Sequence, residues 1–239
     1  MSKQFKGRSC VYCGGEGISS TGDHVFARQF FPVGRRANLP KVAACAPCNS
    51  AKSQIEHYLT AVLPFGGRHP DSSQMLTHEV PGRLARNQKL HRSLIAGRTQ
   101  VTAREHGEVV DSLAVPFDAE KLSALFAYIA RGLTAFHWEV LIPPTHRVES
   151  LMLNPAYEAV LRDLFLAPAR QRVAADVGHG AFQYQGAQAV DDPALTIWRF
   201  QAFGGLVVAG DPRLPEPGAH TTWVLTTPLT SPSLLDLDR

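Results

Sequence analysis

Cys10-Val11-Tyr12-Cys13 and, after a 31-residue spacer, Cys45-Ala46-Pro47-Cys48 are the stretches on which the reading of this chain turns. They hold all four cysteines of its 239 residues. Each pair has the Cys-x2-Cys spacing of a tight turn, and two such turns can present four thiolates tetrahedrally to one zinc ion. Gly14 and Gly15 let the chain turn sharply after the first pair, and Pro47 sits inside the second. Four sulfur ligands leave no open position on the metal, so the expected zinc site is structural. Two disulfides are the competing reading. The N-terminus carries charge without the apolar run of a signal peptide, so a cytoplasmic chain with reduced thiols is expected. The spacer is longer than that of a common zinc ribbon, so something is inserted between the two halves.

The insert reads Gly22-Asp23-His24-Val25-Phe26-Ala27-Arg28 and then Arg35-Arg36-Ala37-Asn38-Leu39-Pro40-Lys41. Asn49-Ser50-Ala51-Lys52 follows the second cysteine pair. Asp23 offers a hard oxygen to a divalent cation, and His24 a base that can take a proton near neutral pH. An Asp-His dipeptide by itself is weak evidence, since most are surface pairs or a satisfied hydrogen bond.

The order of parts resembles the HNH endonuclease family, whose ββα-metal fold is often braced by a four-Cys zinc site. The matching residues are the two cysteine pairs, Asp23-His24-Val25, Asn38-Leu39, and Cys48-Asn49 with Lys52. The resemblance covers roughly residues 8–65, about a quarter of the chain. It implies that Asp23 and Asn49 hold one magnesium or manganese ion and that His24 activates the attacking water. It also implies that Asn38 orients the histidine segment. Asn49 stands where many members carry His, Ser53 where a second His is familiar, and Ala27-Arg28 where a proline often follows Asp-His. The two metals stay distinct, zinc at sulfur and magnesium or manganese at oxygen.

The patterning predicts an α+β chain. Gly22–Phe26 reads as a strand and Lys41–Ala44 as its return. Ile55, Tyr58, Leu59, Val62 and Leu63 follow helical spacing, with Asn49 or Ser50 as N-cap and Pro64 and Gly66-Gly67 as the stop. Residues 1–66 are thus expected to form the zinc-braced nuclease domain. Residues 67–81, rich in Gly, Pro, Ser and His, read as a linker. Residues 82–239 read as an α+β domain with an antiparallel sheet. Its parts are a helix over 82–96, a hairpin over Val101–Val115 turning at Gly107, and helices at Glu120–Trp138 and from Asn154-Pro155. Strands follow at 181–184, 195–203, 206–208 and 222–226, and the tail from Pro228 reads as loose.

Charge is unevenly spread. Residues 1–100 hold 14 Lys and Arg against 5 Asp and Glu, and residues 101–239 hold 10 against 16. The basic half suits an anionic partner, here DNA. Arg28, Arg35, Arg36, Lys41 and Lys52 are candidate phosphate contacts, the other reading being a solvated surface. Arg83, Arg86, Lys89 and Arg92 allow the same two readings, and His57 could supplement the site. No apolar run is long enough to cross a membrane. The expectation is a metal-dependent endonuclease acting on DNA, in restriction, phage defence or a mobile element. Its rival is a non-catalytic zinc-knuckle module that binds nucleic acid. A homodimer would allow double-strand cutting, and the second region could bind an unknown ligand or protein.

Overall fold

A computed structural model describes residues 3–105, 108–208 and 219–233 of the chain. Strands β1 (Thr21–His24) and β2 (Lys41–Ala44) form an antiparallel pair in which Asp23 lies opposite Val42 and His24 opposite Lys41. Helix α1 (Ala46–Gly66) follows at once. Its N-cap is Cys45, not Asn49 or Ser50, because Pro47 in the first turn starts the helix inside the second cysteine pair.

The stretch expected to be a linker is largely helical. Helix α2 (Pro70–His78) is capped by the His69 side chain, which accepts a hydrogen bond from the Asp71 N–H. Pro70, read as a breaker, occupies the first turn, where proline initiates helices. The single helix expected over 82–96 is two, α3 (Val80–Arg86) and α4 (Gln88–Ala96). Asn87 divides them, and its side chain caps α4 by accepting from the Leu90 N–H.

Strands β3 (Thr99–Glu105) and β4 (Glu108–Ala114) pair antiparallel. The turn expected at Gly107 lies outside the described residues. Helix α5 (Ala119–Trp138) buries Leu122, Leu125, Phe126, Ile129 and Leu133 along one face. The chain then runs through β5 (His146–Leu153), α6 (Pro155–Leu166), β6 (Gln171–Val177), β7 (Phe182–Gln188), β8 (Thr196–Ala202), β9 (Leu206–Val207) and β10 (Ala219–Pro228). The main sheet has the order β5-β10-β8-β7-β6, with β9 beside β10, and its pairs are antiparallel. Helices and antiparallel sheets together make the fold α+β. The tail is tied down as far as described. Leu229 donates to the Thr145 carbonyl at 2.8 Å, and Arg147 donates to the Leu229 carbonyl at 2.8 Å.

One core joins the first 66 residues to the sheet. Val25, Phe26, Phe30 and Phe31 belong to the same buried cluster as Phe182, Tyr184, Trp198, Phe200 and Phe203. The Phe26 and Phe182 rings lie 5.6 Å apart, and those of Phe30 and Phe182 5.1 Å apart. The zinc-braced segment and the region after it are therefore packed as one body around shared aromatic side chains.

Candidate functional site

Hydrogen bonds close the first cysteine turn. The Gly14 N–H donates to the Cys10 carbonyl and the Cys10 N–H to the Gly15 carbonyl, both at 2.8 Å. Gly14 has φ +74°, where a side chain would be strained. Val11 then bonds to the Ala43 carbonyl at 3.0 Å, bringing the turn against β2. The Sγ atoms of Cys10, Cys13, Cys45 and Cys48 all lie within 4.8 Å of one another, and those of Cys13 and Cys45 are 4.0 Å apart. Tetrahedral zinc with bonds of about 2.3 Å requires sulfurs separated by about 3.8 Å, so the four thiols fit. None is in a disulfide. Burial opposes ionisation of Cys10, but the Cys45 N–H, 3.3 Å from its sulfur, and neighbouring backbone donors outweigh it and bring the thiol to about 7. Burial and the adjacent thiols push Cys48 up. Four thiolates packed this closely need a cation among them, and sulfur selects zinc over magnesium.

Beside this cluster lies a buried ion network. Lys52 is fully buried, and its ammonium lies against three oxygens at once, hydrogen-bonded to two and ion-paired with Asp23. They are Asp23 Oδ2 at 2.9 Å, the His24 carbonyl at 2.8 Å and Glu56 Oε1 at 2.5 Å. The Tyr12 hydroxyl, from inside the first cysteine turn, donates to the same Asp23 Oδ2 at 2.5 Å. Burial, then the charge of Asp23, pushes the Tyr12 phenol well above its usual range, so it stays protonated and donating. Burial also raises the Glu56 carboxyl, against the pull of Lys52. Lys52 therefore cannot contact phosphate as expected. Its ammonium is spent inside the protein, fastening β1 to α1.

Asn49, Lys52, Ser53 and Glu56 follow i, i+3, i+4, i+7 spacing and share one face of α1. Lys52 on that face meets Asp23. One turn earlier, Asn49 opens into a cleft of about 600 Å3 with Thr21, Ser53, Gln54 and His57. Asp23 is not among the residues that line this cleft; its Oδ1 and the Asn49 amide make no hydrogen bond among the described residues.

Adjacent strand residues leave opposite faces, so His24 stands away from Asp23, on the side of Lys41. Burial, then the charges of Lys41 and Arg28, lowers the His24 imidazole below its usual value, and Asp23 opposes them. The ring is neutral at pH 7 and free to accept a proton.

The other expected residues divide. Arg28 and Lys41 are exposed. Arg35 is committed to the buried Asp71 at 2.7 Å, and Arg36 donates through Nε to the Phe31 carbonyl at 2.9 Å. Asn38 is exposed at φ +56°, and its side chain makes no hydrogen bond among the described residues. It serves a left-handed turn that asparagine tolerates. The histidine segment is held by backbone atoms instead. The Val25 N–H donates to the Pro40 carbonyl at 2.9 Å, and Lys52 grips the His24 carbonyl. Tyr12 and Glu56 were missed by sequence reasoning. The i, i+4 spacing of Lys52 and Glu56 on a helix was a usable signal for the second, whereas nothing local links Tyr12 to Asp23.

No protein-family model, curated protein or solved structure matches this chain.

Proposed function

We propose that the chain is a metal-dependent endonuclease of the HNH type, hydrolysing phosphodiester bonds in DNA. The observation that carries this reading is an aspartate whose carboxylate is fixed from two sides by Tyr12 and Lys52, followed on the opposite face of the strand by a histidine whose imidazole is held below its usual value. His24 takes the proton from the attacking water. Asp23 and Asn49 would hold a magnesium or manganese ion, which when bound supplies Lewis-acid stabilisation of charge on the phosphate and the leaving oxygen. Tyr12 and Lys52 keep Asp23 in one orientation, sparing the site reorganisation as charge develops. Burial, with the charges of Lys41 and Arg28, disfavours protonation of His24, and the same two cations make its surroundings attractive to phosphate. The four-Cys zinc site holds the Tyr12 turn, β2 and the start of α1 together.

One observation favours a second reading. The Lys52 ammonium already pairs with Asp23, which leaves that carboxylate less charge to offer a metal and suits a zinc-knuckle module that binds nucleic acid without cutting it. Supercoiled plasmid with magnesium or manganese, given wild type and His24→Ala side by side, separates the two. Relaxed or linear product from wild type alone is the expected result. Binding by both proteins with no product from wild type would replace the nuclease by the binding module.

A further inference from the structure

Residues 80–98 contain Arg83, Arg86, Lys89, Arg92 and Arg98 and no Asp or Glu. They lie outside the part of the chain that carries the family resemblance. Arg83 is a strut. One guanidinium nitrogen donates to the Thr60 carbonyl at 2.6 Å and the other to the Gln29 carbonyl at 2.8 Å. It thereby locks α3 onto α1 and onto the short 3-10 turn Arg28–Phe30, which begins with an exposed arginine four residues after His24.

Arg86, Lys89 and Arg92 are exposed, and none forms an ion pair among the described residues. The Nε of Arg86 donates to the Gly82 carbonyl and that of Arg92 to the Gln88 carbonyl. These bonds lay both side chains along their helices, with their terminal nitrogens unpartnered among the described residues. Leu94 is the buried residue of α4. At 100° per residue, Lys89 and Arg92 stand about 140° and 160° around the helix from it, on the solvent side. Arg36 and Arg86 both bear on Arg83, with Glu79 the opposing charge there, as Lys41 and Arg28 both bear on His24.

We propose that α3 and α4 form a second phosphate-binding surface, on which Arg86, Lys89 and Arg92 grip the backbone of duplex DNA away from the cleavage site. Arg83 sets the offset between this surface and His24. A rigid polyanion with one charge per roughly 1.7 Å of axis can span both at once. The inference rests on the part of the proposed function that makes duplex DNA the partner.

The test uses zinc-loaded full-length protein, a 30-base-pair duplex in magnesium-free buffer, and fluorescence anisotropy over a salt series. Arg86→Ala/Lys89→Ala/Arg92→Ala is expected to weaken binding by about tenfold or more near 0.1 M salt. It should also flatten the plot of log Kd against log salt by roughly 2 to 3, at about 0.9 for each phosphate no longer neutralised. A variant with Arg86 and Arg92 changed to Lys keeps the charge and should keep the slope. Hydrolysis of bis(p-nitrophenyl) phosphate, which has no extended backbone, should be the same for wild type and the triple variant. A triple variant that binds with the slope and affinity of wild type overturns this surface while leaving the nuclease reading intact. A shallower slope in a protein that never cuts supports the surface and removes the nuclease. Wild type that does not bind duplex DNA overturns both.

Discussion

Lys52 carries its charge in a place where water cannot reach it. Such a charge persists only when its donors are filled, and here Asp23, Glu56 and the His24 carbonyl fill them. Replacing Lys52 by Met would leave two half-buried carboxylates without their cation. Removing one partner of a buried pair typically costs about 3–5 kcal/mol. The loss should grow with pH. With Lys52 gone, burial raises Glu56 further above its unfolded value. Protonation then relieves the folded state at low pH, and that relief disappears as pH rises through the folded pKa. Urea denaturation of Lys52→Met at pH 5 and pH 8 measures both effects, and a loss under about 1 kcal/mol would contradict this account. The motif position was legible in the sequence, but its use was not. A lysine beside Asn49 reads as a phosphate contact until its neighbours in space are known.

Helix α5 is the element most plainly written in the sequence. Its apolar face at Leu122, Leu125, Phe126, Ile129 and Leu133 has helical spacing, and Asp118 caps it by accepting from the Lys121 N–H. The periodicity does not show why Gly132 stands inside it. A Cβ there would lie 2.9 Å from one methyl of Val25 and 3.0 Å from the other. The close approach seats α5 against the residue that follows His24. Gly132→Val should therefore lower stability by about 1–3 kcal/mol through overpacking. A thermal melt would register this as a fall of several degrees, and an unchanged Tm would mean that Val25 can turn aside. The pair β1 and β2 was equally legible. Strands β5 and β6 were not: both are outer strands of the sheet, β5 lacks clean alternation, and β6 turns only Val173, Ala175 and Val177 half-buried toward the core. The division between α3 and α4 escaped because Asn87 can sit within a helix as well as cap one.

Among the described residues the main core spans both expected domains, with Leu161, Trp223 and Leu225 in a smaller second cluster. Phe26, Phe30 and Phe31 leave the Asp-His strand and bury themselves against Phe182 and Phe203 of the sheet. Residues 1–66 made alone, even with zinc, should then fail to give a cooperative thermal transition by circular dichroism. A sharp transition from that fragment would restore the two-domain picture. Among the described residues no helix is long and apolar enough to cross a membrane. The four-cysteine cluster, the strand pair with α1 behind it, and the α+β class could all be read from the order of residues. Those features follow from spacing and periodicity along the chain, which survive any tertiary arrangement. Only the folded chain reveals that Lys52 and Arg35 are internal ion partners, that Tyr12 and Glu56 join Asp23, and that residues 67–81 are mostly helix. Each of these depends on burial, and burial is set by what packs opposite a residue across a distance the local sequence does not encode.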